Sequence, residues 1–555
     1  MSMPWMRKQD GATTSSAPQP DDVPILQDES SDDSNLIRLP CGGLKPPKIN
    51  NPIDFTKLSD DTRGMRIESK KTLKDSAIKA GVKESSEKQK FFDDFCEKNI
   101  KIYDRQGMEI RKGPGVPKEL ERAITDPRIV NNLRLIGVQT LNPLQQQAVK
   151  IMQEGLSLLL QGPTGIGKTY AFLIPAIKMA QEVRKELGKH KDPLPSPSVF
   201  VLSTTGRLAT QTYNRCLLML GLQCQEDVQP VREIFLDRLV AEQHFRADQL
   251  DIAIATMGKL KATIEAGGLG LQNVKMIILD EADKMTDESS FGEDVRWLLS
   301  KLSDDVRANL QVGMFSATYL ETRDGQIQIS ELQSDLLLNN PFQVLTCPRM
   351  PGYITQRVIR IPECNGDFRT HEWIAKMSKI HELLDEDLEK QGTTKDGPFS
   401  YTVIIFCETV QMTTMVTMAL CQVGFKFRPM SRIIMKDMQE VYLNELANCE
   451  ILGLVCTNIM ARGIDVPSVK HTIVMEMSTE FAIYKHRIGR VGRDGSGGLS
   501  TVFLDSSNIR DGRAAQIVEE LVVFMGENGQ DIDKWLADWY DNRMKVYRTL
   551  ETQYI

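Results

Sequence analysis

Short, continuous apolar runs alternate with helical stretches twice along this chain. The first series is LSLLL at 156–160, SVFVLS at 198–203, IAIAT at 252–256, MIILD at 276–280 and QVGMFS at 311–316. The second is VIIF at 403–406, ILGLVCT at 451–457, HTIVME at 471–476 and LSTVFL at 499–504. A strand that is apolar on both sides has to be covered on both sides. Helices between successive strands do this in a parallel sheet. The alternation breaks at Asn339-Asn340-Pro341 and again from Pro348 to Gly352. The sequence therefore reads as two tandem α/β lobes, 118–346 and 352–525, each a parallel sheet flanked by helices.

Outside the lobes the texture changes. Residues 1–64, with the acidic run Asp28-Glu29-Ser30-Ser31-Asp32-Asp33, are rich in Ser, Pro and Asp. They are expected to form a disordered tail, because so little apolar area cannot offset the entropy of ordering. Residues 65–117 carry many lysines around sparse apolar positions and read as a helical extension. Residues 526–555, which include Trp535-Leu536 and Trp539-Tyr540, read as a C-terminal helical extension that caps the second lobe or meets a partner. With 68 Lys and Arg against 75 Asp and Glu, the chain is not a generally basic nucleic-acid coat, although a local basic groove is compatible with that balance. No apolar run reaches the roughly 18 residues of a membrane span, and the start MSMPWMRKQDGATTSS lacks a signal peptide's apolar stretch. Ten cysteines include no CxxC pair, so neither a zinc site nor a disulfide framework is expected. The composition reads as a soluble intracellular protein, cytoplasmic rather than nuclear, with no membrane contact.

Gly162-Pro163-Thr164-Gly165-Ile166-Gly167-Lys168-Thr169 matches G-x-x-x-x-G-K-[ST] between a strand-like and a helix-like segment. Glycines in such a loop let successive backbone N–H groups point inward as a nest for phosphate oxygens. Lys168 is placed to reach β/γ-phosphates and the Thr169 hydroxyl to hold Mg²⁺. Asp280-Glu281-Ala282-Asp283 follows the run MIIL, which puts the acids at a strand's C-terminal end, where ligands sit on open α/β sheets. There Asp280 suits the metal role, and Glu281 suits positioning or deprotonating a water.

The string LDEAD, followed by Ser316-Ala317-Thr318 after another apolar strand, resembles the DEAD-box RNA helicases of superfamily 2. In the second lobe, Tyr484-Lys485-His486-Arg487-Ile488-Gly489-Arg490-Val491-Gly492-Arg493 fits that family's H-R-x-G-R-x-G-R. Ala461-Arg462-Gly463-Ile464-Asp465 fits its A-R-G-[IL]-D, and GVQTLNPLQ at 137–145 is a loose form of its Q motif. The resemblance covers about 118–525 and implies two RecA-like lobes, ATP with Mg²⁺, and RNA as second substrate, held by largely sequence-independent backbone contacts. It implies that Gln145 reads adenine, that Asp465 contacts the ribose, and that Arg490 and Arg493 reach the γ-phosphate from the second lobe. It further implies that Asp283, Ser316, Thr318 and His486 couple the acidic motif to lobe closure. Thr256, Gly258, Lys259 and Thr457 fall on the implied RNA path. Protein partners are expected through the tails. The alternative reading is an ATP-gated RNA or protein clamp with slow turnover.

Departures from the family's patterns cluster on implied RNA and adenine contacts. P-T-R-E-L-A reads Thr204-Thr205-Gly206-Arg207-Leu208-Ala209, T-P-G-R reads Thr256-Met257-Gly258-Lys259, and Q-x-x-R falls on Lys436 and Gln439. The family's T-D becomes Thr457-Asn458, and the aromatic residue that precedes the Q motif falls at Leu120. On this reading the chain binds single-stranded RNA weakly, and Gly206→Arg with Gln439→Arg restores contacts.

Overall fold

The computed structural model describes residues 86–554, apart from 112, 114, 189–193, 223–229, 232, 241–248, 319–320, 324–325, 329–330, 338–340, 348–353, 363–367, 459–465, 467, 493–496 and 511. Side chains are further not described at 86–92, 321–323, 326–328, 331, 368–371, 506 and 546–554. These residues belong to one compact unit, Lys70–Ile555. The tail at 1–64, the start of the 65–117 extension, Asp465 and Arg493 lie outside the described residues.

The first lobe carries β1 (Lys101–Tyr103), β2 (Glu109–Ile110), β3 (Ser157–Gln161), β4 (Val199–Ser203), β5 (Leu236–Leu239), β6 (Ile252–Thr256), β7 (Met276–Asp280) and β8 (Gln311–Ser316). A small hairpin, β9 (Glu321–Arg323) and β10 (Gln326–Gln328), precedes β11 (Phe342–Thr346). The main sheet runs β2-β1-β11-β3-β8-β7-β4-β6-β5, parallel from β11 to β5. Alternate residues of each central strand feed separate cores. Leu158, Leu160, Val199 and Val201 pack on one face, and Leu159, Phe200 and Leu202 pack on the other. That two-sided burial is why these strands are unbroken apolar runs.

The second lobe carries β12 (Ile354–Arg360), β13 (Thr402–Phe406), β14 (Phe427–Met430), β15 (Gly453–Cys456), β16 (Val469–Val474) and β17 (Gly498–Leu504). They form one sheet in the order β12-β17-β16-β13-β15-β14, parallel throughout. Ile404 and Phe406 enter one core, and Val403 and Ile405 the other. Among the described residues no helix is long and apolar enough to cross a membrane.

One expectation for the flanks needs correction. The 65–117 segment is not helical throughout: β1 pairs antiparallel with β11, and β2 with β1. Ile102 and Tyr103 are buried there, and the added strands cover an edge of the parallel sheet that would otherwise be open. At the other end, the helix Lys534–Tyr554 is part of the second lobe's packing. Leu536 is fully buried, and Trp535, Trp539 and Tyr540 pack around it, while Trp539 Nε1 donates to the Ile509 carbonyl at 3.0 Å.

Candidate functional site

The phosphate loop leaves β3 and turns into the helix Lys168–Leu187. Gly165 and Gly167 adopt φ of +82° and +85°, a left-handed conformation that glycine enters without a Cβ penalty. At Gly167 space is limiting as well, since a Cβ there would collide with the Gln145 amide. Ile166 is buried and pins the loop to the core. The Lys168 ammonium lies across the loop and donates to the carbonyls of Gly162 at 2.7 Å and Pro163 at 2.9 Å. Thr169 is the next residue of the helix.

The LNPLQ string braces this loop from behind. Asn142 and Gln145 form a reciprocal capping box at the start of the helix Pro143–Gln153. The Asn142 amide also donates to the Ile166 carbonyl at 2.9 Å, and Gln145 Nε2 donates to the Gly167 carbonyl at 3.1 Å. Gln145 thus braces the loop as well. Its oxygen accepts from the Asn142 N–H and its nitrogen serves the loop, so one N–H and one lone pair are left for a ligand. Leu120 stands where the family has the aromatic residue that precedes the Q motif. It is fully buried in the first lobe's core, so the position found by counting back from the Q motif presents no side chain to a nucleotide.

β7 ends in Asp280, between β4 and β8. Burial, and then the neighbouring Glu281 carboxylate, push the Asp280 carboxyl up to about 7 against the opposing charges of Lys168 and Arg215. Two acids crowded beside a lysine suit a dication. Among the described residues no three of His, Cys, Asp and Glu converge as a metal cage. A hard cation here would take Asp280 and Thr169 from the protein and its other ligands from phosphate and water. Glu281 sits at φ +58°, ψ +51°, which costs a non-glycine residue of order 1–3 kcal/mol and persists only where surroundings impose it. The Thr204 hydroxyl, from the end of β4, donates to the Glu281 carboxylate. Sequence reasoning did not single out Thr204, which it saw only as a departure from a proline.

Asp283 joins the lobes. Its two carboxylate oxygens accept from Ser316 Oγ at 2.7 Å and Thr318 Oγ1 at 3.0 Å. His486 Nε2 of the second lobe lies 3.4 Å from both Asp283 Oδ2 and Thr318 Oγ1. The four residues expected to couple the lobes are therefore in one cluster. A second bridge forms where Thr164 Oγ1, at the crown of the phosphate loop, donates to the Gly489 carbonyl at 3.1 Å. A Cβ at Gly489 would occupy the space of that threonine, so this close approach requires glycine.

Arg490 is buried, with Nε donating to the His486 carbonyl at 3.2 Å. Its neighbour Arg487 was not picked out by sequence reasoning, yet it is among the largest fully buried side chains. It donates to Asn458 Oδ1 and the Glu476 carbonyl, pairs with Glu408, and lies over the Phe406 ring. The departure at Asn458 thus belongs to this network. Arg487→Met should destabilise the second lobe by about 3 kcal/mol, at the low end for breaking a buried pair because the Glu408 carboxylate keeps some solvent. Chemical denaturation of the variant measures this, and a loss well under 1 kcal/mol would show the network to be dispensable.

The remaining candidates lie at the β4 and β6 ends. Thr256 and Lys259 are half-buried and Gly258 exposed at the start of the helix Met257–Glu265, and Thr457 is half-buried after β15. Gly206 opens the helix Gly206–Met219, and a Cβ there meets only Val240 at ordinary distance. Gln439 is different. It is buried, donates to the carbonyls of Ser431 at 3.3 Å and Ile434 at 2.7 Å, and accepts from Arg207 Nη2 of the first lobe at 2.8 Å. The expectation that Gln439→Arg adds an RNA contact is therefore corrected, since it would set two guanidinium groups against each other.

The DEAD/DEAH box helicase family model matches residues 142–324, and the helicase conserved C-terminal domain model matches 376–495. The chain belongs to the DEAD-box helicase family. This DEAD-box chain is 28% identical over 422 residues to the ATP-dependent RNA helicase glh-4 of Caenorhabditis elegans, covering 74% of this chain and 34% of that protein. It is 27% identical over 409 residues to the ATP-dependent RNA helicase vasa of Drosophila melanogaster, covering 74% of this chain and 55% of that one. The matches thus span about a third and about half of those relatives' lengths. Among solved structures, S. cerevisiae Dbp5 bound to RNA and ADP BeF3 aligns with TM-score 0.57 at 19% identity, over 76% of this chain and all of the other. Mss116 bound to ssRNA and UDP-BeF aligns with TM-score 0.57 at 21% identity, over 78% and 89%. Both likenesses are of the two-lobed fold.

Proposed function

We propose that this chain is an ATP-dependent RNA helicase, an RNA-stimulated ATPase that remodels short duplexes or RNA–protein complexes. The observation that carries the reading is the Asp283–Ser316–Thr318–His486 cluster. It ties the acid motif beside the phosphate loop directly to the second lobe, so hydrolysis and lobe position share residues. Backbone N–H groups of 164–168 and the Lys168 ammonium hold the β- and γ-phosphates, Lys168 trading two carbonyls for phosphate oxygens. Asp280 and Thr169 hold Mg²⁺, which neutralises charge on the phosphates when bound. Glu281, fixed by Thr204, orients the attacking water and takes its proton. Arg490 and Arg493 stabilise charge from the second lobe.

RNA is contacted at the β4 and β6 ends of the first lobe and by the second lobe, mainly through phosphates and 2′-hydroxyls. Vasa, glh-4 and the RNA-bound relatives support that choice of polymer. The test is steady-state ATPase of the full chain with and without single-stranded RNA, with single-stranded DNA as control. RNA-selective stimulation, together with ATP-dependent separation of a short RNA duplex, is expected. Hydrolysis indifferent to RNA would overturn the reading.

A further inference from the structure

Two departures from the family motifs meet in one contact. Arg207 stands where P-T-R-E-L-A has glutamate, and Gln439 stands where Q-x-x-R has arginine. The structure joins them across the lobes, Arg207 Nη2 to Gln439 Oε1 at 2.8 Å. A donor has replaced an acceptor on the first lobe, and an acceptor has replaced a donor on the second. Changes that complement each other in hydrogen-bonding sense, at residues in contact, are one compensated change rather than two losses.

The surroundings fix this pairing. Both Gln439 N–H bonds are committed to its own lobe, to the Ser431 and Ile434 carbonyls, which leaves the amide oxygen as the group turned toward Arg207. Gln439 accepts the one hydrogen bond Arg207 donates among the described residues, and Nη1 of the same guanidinium is buried without a partner. Burial lowers the Arg207 pKa, opposed by Glu440. A half-desolvated guanidinium satisfied at one end by a neutral amide depends strongly on that amide. The contact also lies on the β4 side of the sheet, whereas the Asp283 cluster sits at the ends of β7 and β8 and Thr164 beside β3. It therefore constrains rotation of the lobes about the other two bridges.

We propose that Arg207 and Gln439 form a polarity-reversed clasp, a guanidinium held by a neutral amide, that positions the two lobes for closure in place of the glutamate and arginine of the family motifs at the same two positions. Such a clasp closes with little salt dependence, because its acceptor carries no charge to be screened. The consequence for turnover rests on the helicase reading; the clasp itself does not. Both residues are positioning residues.

The test uses the full chain carrying one dye on each lobe, compared as wild type, Arg207→Met, Gln439→Leu and the exchange Arg207→Glu with Gln439→Arg. Inter-dye distance is read without nucleotide and again with a non-hydrolysable ATP analogue and RNA, at low and high salt. Each single variant should lower the closed-to-open ratio roughly three- to ten-fold. The RNA concentration for half-maximal ATPase should rise in step, with turnover at saturating RNA little changed. The exchanged pair should recover closure at low salt and lose it at high salt, which a purely structural role would not produce. Single variants that close like wild type, or an exchange no better than the two singles combined, overturns the proposal. A wild type without RNA-stimulated ATPase would defeat the helicase reading alone, because the nucleotide-free distances still report the clasp.

Discussion

Lys168→Ala should reduce ATP hydrolysis by about 10²–10³-fold or more and weaken nucleotide binding, while the chain stays folded. Lys168 is the only cationic side chain in the loop 162–169, and its ammonium already sits over the loop on the Gly162 and Pro163 carbonyls. Incoming phosphate oxygens replace those carbonyls with a charge-assisted interaction, which strengthens further as negative charge grows in the transition state. Removing one preorganised donor at such a point typically costs that much in rate. Lys168 also opposes the upward push on Asp280, so its loss weakens the metal position at the same time. Stability should change little, because the loop keeps its brace from Asn142 and Gln145. Steady-state turnover and titration with a fluorescent ATP analogue measure the two effects. Turnover equal to wild type in a folded variant refutes the phosphate-loop assignment.

Strands buried on both faces were legible because nothing polar interrupts them. All five residues of β3, β4 and β7 are buried, so each reads as a continuous apolar run. Among the lobes' parallel strands β5, β11, β12 and β14 are absent from those runs; β5, β12 and β14 are edge strands, and β11, inside the sheet, is broken by the half-buried Gln343. β5 carries Asp237 and Arg238, β12 alternates buried with exposed residues, and β14 contains Pro429, which an edge tolerates and a central strand does not. The site divides in the same way. Motifs defined by adjacent residues, 162–169 and 280–283, declare themselves in the chain. Contacts that depend on which residues fold toward each other do not. Thr204 meeting Glu281, Gln145 turned inward to the loop, Arg487 at the hub of lobe two and Arg207 against Gln439 are set by strand order and lobe packing. The departures at 207 and 439 looked like two lost RNA contacts while they were read one at a time. At a separation of 232 positions, the chain gives no sign that they are partners.

Glu281→Gln should keep ATP binding, lower hydrolysis by about 10²–10⁴-fold, the usual worth of a general base, and hold RNA far longer than wild type in the presence of ATP. The substitution is nearly isosteric. A glutamine oxygen still accepts from the Thr204 hydroxyl that fixes Glu281, and the left-handed backbone at +58° costs either residue about the same. Asp280 remains to hold the metal. With its charged neighbour gone, one of the two causes that push its carboxyl up disappears, so it ionises more readily beside Lys168. What is lost is the group that takes a proton from the attacking water, since an amide at that place accepts a hydrogen bond without accepting the proton. The lobes can then close over ATP and RNA through the Asp283 and Thr164 bridges, but the step that reopens them is blocked. The measurement is dissociation of labelled single-stranded RNA after dilution into unlabelled competitor, with ATP and with ADP. Retention should be long with ATP and short with ADP in the variant, and short with both in wild type. Release from the variant as fast as from wild type, or hydrolysis within a few-fold of it, would remove Glu281 from the base role and shift the search to another group able to reach the water beside Asp280.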